Sequence, residues 1–173
     1  MHIEKAAGTD AAMSGHVERR ITPANVITTL TYLNEELIEF PKGVANRTEA
    51  IQHRLDNAGL ERKIGKNQVR ALRVMLSGSP EDMKRIRQAG RLDAWAKDSC
   101  GWLQKTFGKE NVVSAILHLD EKTPHIHATV VPITRGERRK AKLERARNAA
   151  SGKRTYRTKK DRPRLCADDV MAR

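Results

Sequence analysis

Two apolar runs separated by a short polar turn are the clearest feature of the hydrophobic pattern. Residues 112–117 and 128–133 are almost wholly apolar. Runs of this length, bounded by turn residues, are typical of buried strands. The segment Asp120-Glu-Lys-Thr-Pro124 between them has the composition of a turn. The pattern therefore predicts a β-hairpin whose two strands lie in the core.

Outside the hairpin, the pattern predicts one more long strand and leaves other stretches less regular. Residues 67–76 are predicted to form a strand, in which successive side chains point to opposite sides. One side then carries Val69, Ala71, Arg73 and Met75, and the other carries Arg70, Leu72, Val74 and Leu76. Residues 1–5 fit the end of a short strand, and residues 30–40 fit either a strand or a helix. Residues 8–15 are small and polar, and we predict that they form a loop.

Capping residues mark the predicted helices. Residues 46–57 are predicted to be helical because Asn46 or Thr48 can cap the first turn. A stronger start is Ser79-Pro80-Glu81-Asp82, where a capping hydroxyl precedes proline and two acids that the helix dipole favours. The apolar positions that follow supply a core face, and Gly90 is expected to divide this stretch into two helices.

The positive charge is concentrated in one late segment. The 173 residues carry a formal net charge of +13, and residues 135–164 hold fourteen Lys or Arg against three Asp or Glu, a balance of +11. This surplus suggests a polyanionic partner. We predict a folded core over residues 1–134, a solvated basic linker or contact segment over 135–164, and the start of a further helix of a longer protein over 165–173.

The remaining composition indicates the cellular compartment and the mode of nucleic-acid binding. The two cysteines, Cys100 and Cys166, lie far apart in the sequence, so a disulfide framework is not expected. No apolar run reaches membrane-spanning length and no signal peptide is apparent, so we expect a cytoplasmic protein without a membrane partner. Aromatic residues make up only 3% of the chain. Binding to nucleic acid is therefore expected to rest on charge more than on base stacking.

Three histidines surround the predicted turn. His125 and His127 point to the same face of a strand. If the turn makes the two strands antiparallel, His118 lies across from them on that same face. This spacing predicts three imidazoles around one divalent metal, with coordination positions left open as in catalytic sites. Imidazole suits zinc, manganese, iron, nickel and copper, so the ligands alone do not identify the metal. The alternative is that the histidines are ordinary core residues.

A metal beside a polyanion-binding segment suggests phosphodiester chemistry, with the metal acting as a Lewis acid. Such a reaction also needs an attacking group and cations. His16 and Arg19 near the start are candidates, as are Arg70 and Arg73 on the predicted strand. Regular alternation points Arg70 and Arg73 to opposite faces, so both can reach one site only if a bulge intervenes.

These residues carry a family resemblance. The motif His118-x-Asp-Glu-x-Thr-Pro-His-x-His127, preceded by His16-x-x-Arg19, resembles the Mob/Pre plasmid mobilisation and recombination relaxases. The closest likeness is to the mobilisation proteins of integrated mobilisable elements. Matching segments extend over most of the chain, at residues 2–5, 15–19, 33–40, 67–71, 118–132 and 164–169.

The resemblance implies a fold and a reaction. Members of the family carry a relaxase domain of the histidine-hydrophobe-histidine (HUH) endonuclease type. This implies an α+β fold with a two-layer or sandwiched antiparallel β-sheet, flanking helices and metal histidines on central strands. It also implies that the protein nicks one DNA strand at a plasmid or mobilisable-element transfer origin, stays covalently joined to the new 5′ end, and uses Mn²⁺ or Mg²⁺. Residues 1–134 would be the catalytic core.

The resemblance also assigns roles to residues. The metal ligands would be His118, His125 and His127, and the nucleophile would be His16 rather than the tyrosine of most relaxases. Glu121 would lie next to the nucleophile. Three arginines would clamp phosphates and contact DNA: Arg19, Arg70 and Arg73.

Two acids and a tyrosine need separate interpretation. Glu121 can hold the ring of His16 and stabilise the cation formed on attack, although it also raises the histidine pKa. Asp120 is expected to orient a ligand histidine or to cap the turn. Tyr32 stands where the family pattern has a histidine in an Arg-Thr-His-Leu-Asn type of segment, so it is a rival nucleophile. We prefer His16.

Three functions compete at this point. The leading one is a DNA relaxase acting on a single-stranded or hairpin transfer origin in the bacterial cytoplasm. The others are a hydrolytic metallonuclease that forms no adduct and a non-catalytic nucleic-acid-binding module with a structural metal. For the relaxase, the conjugation machinery would be a further partner, contacted through a C-terminal region beyond this sequence.

Overall fold

The strands and helices alternate irregularly along the chain, as in an α+β protein. The computed structural model describes residues 1–7, 10–136, 139–152 and 161–172. The strands are β1 (His2–Ala7), β2 (Glu35–Glu36), β3 (Val69–Leu76), β4 (Val112–His118), β5 (His125–Val130), β6 (Ile133–Thr134) and β7 (Arg164–Leu165). The α-helices are α1 (Ala11–Val17), α2 (Arg47–Asp56), α3 (Pro80–Gln88), α4 (Leu92–Phe107), α5 (Arg139–Ala150) and α6 (Ala167–Met171). Short 3-10 helices cover Thr28–Leu33 and Lys109–Asn111.

Five strands form one antiparallel sheet in the order β1-β3-β5-β4-β2. The predicted hairpin is its centre, because β4 and β5 pair with His118 opposite His125. Strand β4 is buried at every position, as its apolar run predicts. The short strands β6 and β7 pair separately, because the chain leaves the main sheet after Val130 and Pro132 lacks the N–H that a central ladder needs.

Helices cover both faces of the sheet, so the architecture is a sandwiched antiparallel sheet as expected. On one face, α4 and α6 bury Leu103, Phe107 and Val170 against the even-numbered side chains of β3. On the other face, α2 contributes Ile51 and Leu55 to a second core. The second core covers only part of its face. The histidines lie on the rest of that face, next to α1.

The capping signals identified two helix starts correctly. The side chain of Asn46 accepts a hydrogen bond from the backbone N–H of Glu49 at the start of α2. Ser79 does the same for Asp82 at the start of α3. Gly90 lies between α3 and α4 with a φ of 63°, a conformation that glycine adopts without strain. The predicted division of this stretch into two helices is confirmed.

Two segments predicted as loops contain helices. Residues 8–15 were expected to be irregular, but α1 begins at Ala11, where two alanines and a methionine favour a helix. The basic segment 135–164 contains α5, which is rich in the helix formers Ala, Arg and Lys. The side chains of α5 that the structure describes are largely exposed, and residues 153–160 lie outside the described residues.

The C-terminal residues return to the core. The backbone N–H of Cys166 donates to the carbonyl of Pro132 at 2.8 Å, and Val170 on α6 is fully buried. The helix predicted here is present and packs against β3 and β6. The division of the chain at residues 134 and 164 stays a prediction. Among the described helices, none combines the length and apolar character needed to cross a bilayer.

Candidate metal centre and nucleophile

The three hairpin histidines converge on one face of the sheet. The register places His118 beside His125, and His127 follows two residues later on the same side. Their ring centroids are 5.2, 5.0 and 4.8 Å apart. One ring nitrogen from each lies within 4.8 Å of the others, so the three can share one metal ion. Ile126 between the last two points into the opposite core, which gives a His-hydrophobe-His pattern.

The rings of His118 and His127 are held in the neutral form that ligates metals. Burial and the positive charge of Arg19 lower the pKa of His118 to about 4. Burial and the neighbouring His125 lower the pKa of His127 to about 3. At neutral pH both rings therefore keep a lone pair available. This chemistry fits a divalent cation bound through imidazole nitrogens.

Backbone carbonyls fix which nitrogen of two rings carries the proton. Nε2 of His118 lies 3.0 Å from the carbonyl of Val17, and Nδ1 of His125 lies 2.9 Å from that of Thr123. Because a carbonyl only accepts, these nitrogens donate, and the lone pairs lie on Nδ1 of His118 and Nε2 of His125. A guanidinium nitrogen of Arg19 lies 2.8 Å from the first, so a metal would compete with Arg19 for it.

Asp120 holds Arg19 rather than a ligand histidine. The fully buried carboxylate accepts from Nε of Arg19 at 2.8 Å and from a terminal nitrogen at 2.6 Å. Although burial raises the pKa of Asp120, hydrogen bonds from Arg19 and Thr31 hold it well below its usual range. Arg19 also donates to Glu121 at 2.7 Å. The predicted phosphate clamp is thus paired with two carboxylates in this structure.

His16 stands beside the metal ligands. It lies in the last turn of α1, and its ring meets that of His127 edge-on with centroids 5.8 Å apart. Both rings line a cleft of about 460 Å³, as do Glu121 and His125. Burial and the charge of Arg19 lower the pKa of His16 against the opposing pull of Glu121. A neutral imidazole next to a metal site is a competent nucleophile.

The other predicted residues are placed differently. Arg73 lies on the histidine face but pairs with Asp10 and Glu4. Arg70 lies where the pairing of β1 with β3 shifts by one residue, so it is part of a bulge. Its Nε is buried without a hydrogen-bond partner among the described residues. Tyr32 is 80% exposed on a 3-10 helix and is not among the residues lining the cleft.

Sequence reasoning missed a buried ion pair beneath α1. Arg47 is 1% exposed, and its guanidinium donates to Asp10 at 2.6 Å, to the hydroxyl of Ser14 at 2.9 Å and to that of Thr129 at 2.5 Å. It therefore ties α1, which carries His16, to the strand that carries His127. An arginine in the first turn of a helix usually faces solvent, so no local pattern indicates this buried role.

Replacing Arg47 by methionine should lower the free energy of unfolding by about 3–5 kcal/mol, because Asp10 loses a buried ionic partner. Urea denaturation measures this change. The matched control is Arg62→Met at an exposed position, which should cost no more than about 0.5 kcal/mol. Equal costs for the two variants would contradict the role of Arg47.

Comparisons with known proteins agree with this geometry. A crystal structure of the MobM relaxase domain, bound to plasmid pMV158 oriT DNA and to manganese, superposes with a TM-score of 0.68. It is 20% identical to this chain and covers 91% of this chain and 88% of its own. A second MobM complex with this DNA gives 0.67 at 18% identity, over 99% and 97% of the two chains. The fold is therefore that of a relaxase domain.

The sequence profile of the plasmid recombination enzymes matches residues 1–162, and the chain belongs to that family. A 65 kDa protein of Zymomonas mobilis is 32% identical over 130 residues, which are 74% of this chain and 21% of that protein. The plasmid recombination enzyme type 3 of Staphylococcus aureus is 32% identical over 121 residues, which are 65% and 27% of the two. The chain thus spans about a quarter of these relatives.

Proposed function

We propose that this chain is a DNA relaxase domain, which nicks and rejoins one strand at a transfer origin by metal-dependent transesterification. The observation that carries the proposal is the ring of His16, which lies 5.8 Å from His127 in the cleft that also holds His125. An attacking imidazole and a metal-binding set can then reach one phosphodiester group. The DNA bound by the MobM domain supports a transfer origin as the substrate.

His118, His125 and His127 would hold a divalent cation, which when bound polarises a phosphate oxygen and offsets negative charge at phosphorus. We favour Mn²⁺ or Mg²⁺, and the manganese in the MobM crystals supports the former. His16 forms a bond from a ring nitrogen to phosphorus, and the bond from phosphorus to the 3′ oxygen breaks. The 5′ phosphate stays on the histidine.

The carboxylate of Glu121 stabilises the charge that develops on His16 during this step. The attacking ring of His16 becomes positive and then releases the proton of its other nitrogen, while the departing 3′ oxygen takes up a proton. Glu121 lies in the same cleft, where its charge stabilises the positive ring. Asn25 donates to Glu121 at 2.6 Å and Arg19 donates at 2.7 Å, so the carboxylate is held in place.

A nicking assay with adduct mapping separates the competing functions. The protein is incubated with Mn²⁺ or Mg²⁺ and a single-stranded oligonucleotide from the DNA flanking its gene, which carries the candidate transfer origin. A relaxase gives a cleaved strand and a protein adduct that survives denaturation. Cleavage without an adduct would indicate a hydrolytic nuclease, and binding without cleavage a module with a structural metal. Mass spectrometry of the adduct then identifies the attacking residue.

The exposed basic residues of α5 are proposed to contact phosphates beyond the cleft. Substituting Lys142 and Arg147 by glutamine should weaken DNA binding and reduce the slope of log affinity against log salt by about one for each lost contact. Single-turnover nicking at saturating DNA should not change. Fluorescence anisotropy at several salt concentrations measures the slope, and Lys109→Gln is the matched control. An unchanged slope would remove α5 from the interface.

A further inference from the structure

An aromatic groove lies on the opposite face of the sheet from the histidine cleft, on the side covered by α4, and has no role so far. It occupies about 650 Å³ between the end of β3 and helices α3 and α4. Trp95 and Trp102 line it from α4, where a spacing of seven residues places them on one side of the helix. The ring of Trp102 is 42% exposed and is braced edge-on by Phe107, with centroids 6.0 Å apart. A rigid apolar surface is thus open to a ligand.

The groove and the cleft meet at one residue. Ser77, directly after β3, lines both spaces. Its hydroxyl donates to the carbonyl of Pro124 at 2.9 Å, which ties this edge to the turn of the histidine hairpin. A flexible strand that passes over the end of β3 at Ser77 would run from the cleft on one face of the sheet to the groove on the other.

The groove has the chemistry of a platform for unpaired bases. Indole faces stack on every nucleobase, and Arg91 at the rim supplies a cation for the backbone next to them. Asp98 is the single acid lining the groove, so the local charge does not repel a nucleic acid strongly. The net charge of +13 attracts a polyanion to the molecule as a whole.

We propose that this groove, lined by Trp95 and Trp102, binds unpaired bases of the DNA strand adjoining the cleaved phosphate. The proposal rests on the relaxase function proposed above. It adds a stacking contact to a protein whose 3% aromatic content predicts binding through charge more than through base stacking. The continuity at Ser77 and the cation at the rim favour single-stranded DNA over a protein segment as the occupant.

The sequence offers a direct optical test, because these are the only two tryptophans of the chain. Intrinsic tryptophan fluorescence therefore reports on the groove alone. The protein is titrated with a single strand of thymidylates and with an abasic strand of the same length, which keeps the phosphates and lacks the bases. We expect the thymidylate strand to quench the fluorescence and the abasic strand to leave it nearly unchanged. Equal responses to both strands would overturn the proposal.

A substitution tests whether the contact contributes affinity. Trp102→Leu keeps an apolar side chain on Phe107 and removes the stacking face, so it should weaken binding of the thymidylate strand roughly tenfold. Binding of the abasic strand should stay the same. Met171→Ala, at an apolar residue that is 38% exposed on α6, is the matched control and should change neither affinity. Unchanged binding of thymidylates by Trp102→Leu would overturn the proposal.

Two further outcomes are informative. Fluorescence that changes with protein concentration in the absence of DNA would indicate a second copy in the groove and would also overturn the proposal. If the protein nicks the origin strand and its tryptophan fluorescence stays unquenched, the groove proposal is overturned and the relaxase function still holds. Quenching by thymidylates without any nicking would support the groove and contradict the relaxase function.

Discussion

Replacing His125 by alanine is expected to abolish metal-dependent nicking and to lower the affinity for Mn²⁺ by at least about a hundredfold. Loss of a residue that merely supports a ligand costs roughly 10–100-fold, and loss of the ligand itself should cost more. Nε2 of His125 is the nitrogen left free by its hydrogen bond to Thr123, so the alanine removes a metal-binding nitrogen together with a buried ring that contacts His118 and His127. Isothermal titration and the nicking assay measure the two effects.

His53→Ala is the matched control, because this histidine is exposed on α2 and outside the centre. It should bind Mn²⁺ and nick DNA like the unmodified protein. Circular dichroism and urea denaturation of both variants separate ligand loss from unfolding. If the folded His125→Ala protein binds Mn²⁺ as tightly as the control, the proposed metal site is wrong.

Replacing His16 by alanine is expected to have the second large effect, on the covalent adduct and on the nicking rate. The covalent adduct should disappear and the nicking rate should fall by several orders of magnitude, because an enzyme that loses its nucleophile keeps only the residual contribution of binding. The affinity for Mn²⁺ should be nearly unchanged, since His16 is not one of the three converging ligands. This split between metal binding and chemistry distinguishes the nucleophile from a ligand.

Tyr32→Phe is the informative partner of that variant. Tyr32 is 80% exposed and does not line the cleft, so its loss should leave the adduct intact. The adduct of the unmodified protein should break in acid, as a phosphoramidate does, whereas a phosphotyrosine would survive. An acid-stable adduct that disappears in Tyr32→Phe would identify the tyrosine as the nucleophile and contradict our assignment.

The convergence of the three histidines could be predicted because its geometry is local. Alternation along one strand and a short turn are enough to bring His118, His125 and His127 together. Both features can be recognised from residues that are adjacent in the sequence. Caps such as Ser79 are local for the same reason. The sheet and its flanking helices were expected from the family resemblance, and the comparison with the MobM domain agrees.

The partners of the charged residues could not be predicted, because they are distant in sequence. Arg19 meets Asp120 across 101 positions, and Arg47 meets Thr129 across 82. Periodicity in the sequence carries no information about such pairs, so the sequence analysis predicts Arg19 as a phosphate clamp and assigns no role to Arg47. The helix α1 was missed because Gly8 and Thr9 gave the whole stretch the composition of a loop.

The hydrogen bond from His118 to the carbonyl of Val17 makes this ring a bridge between strand β4 and the helix next to it. The neighbour of that carbonyl along the chain is His16. An alanine at 118 would therefore remove a coordinating nitrogen and also release the end of the helix on which the attacking group sits. A loss of nicking activity in the His118 variant would then have two causes, which an activity assay alone cannot separate. Substitution of His125 tests metal binding more directly.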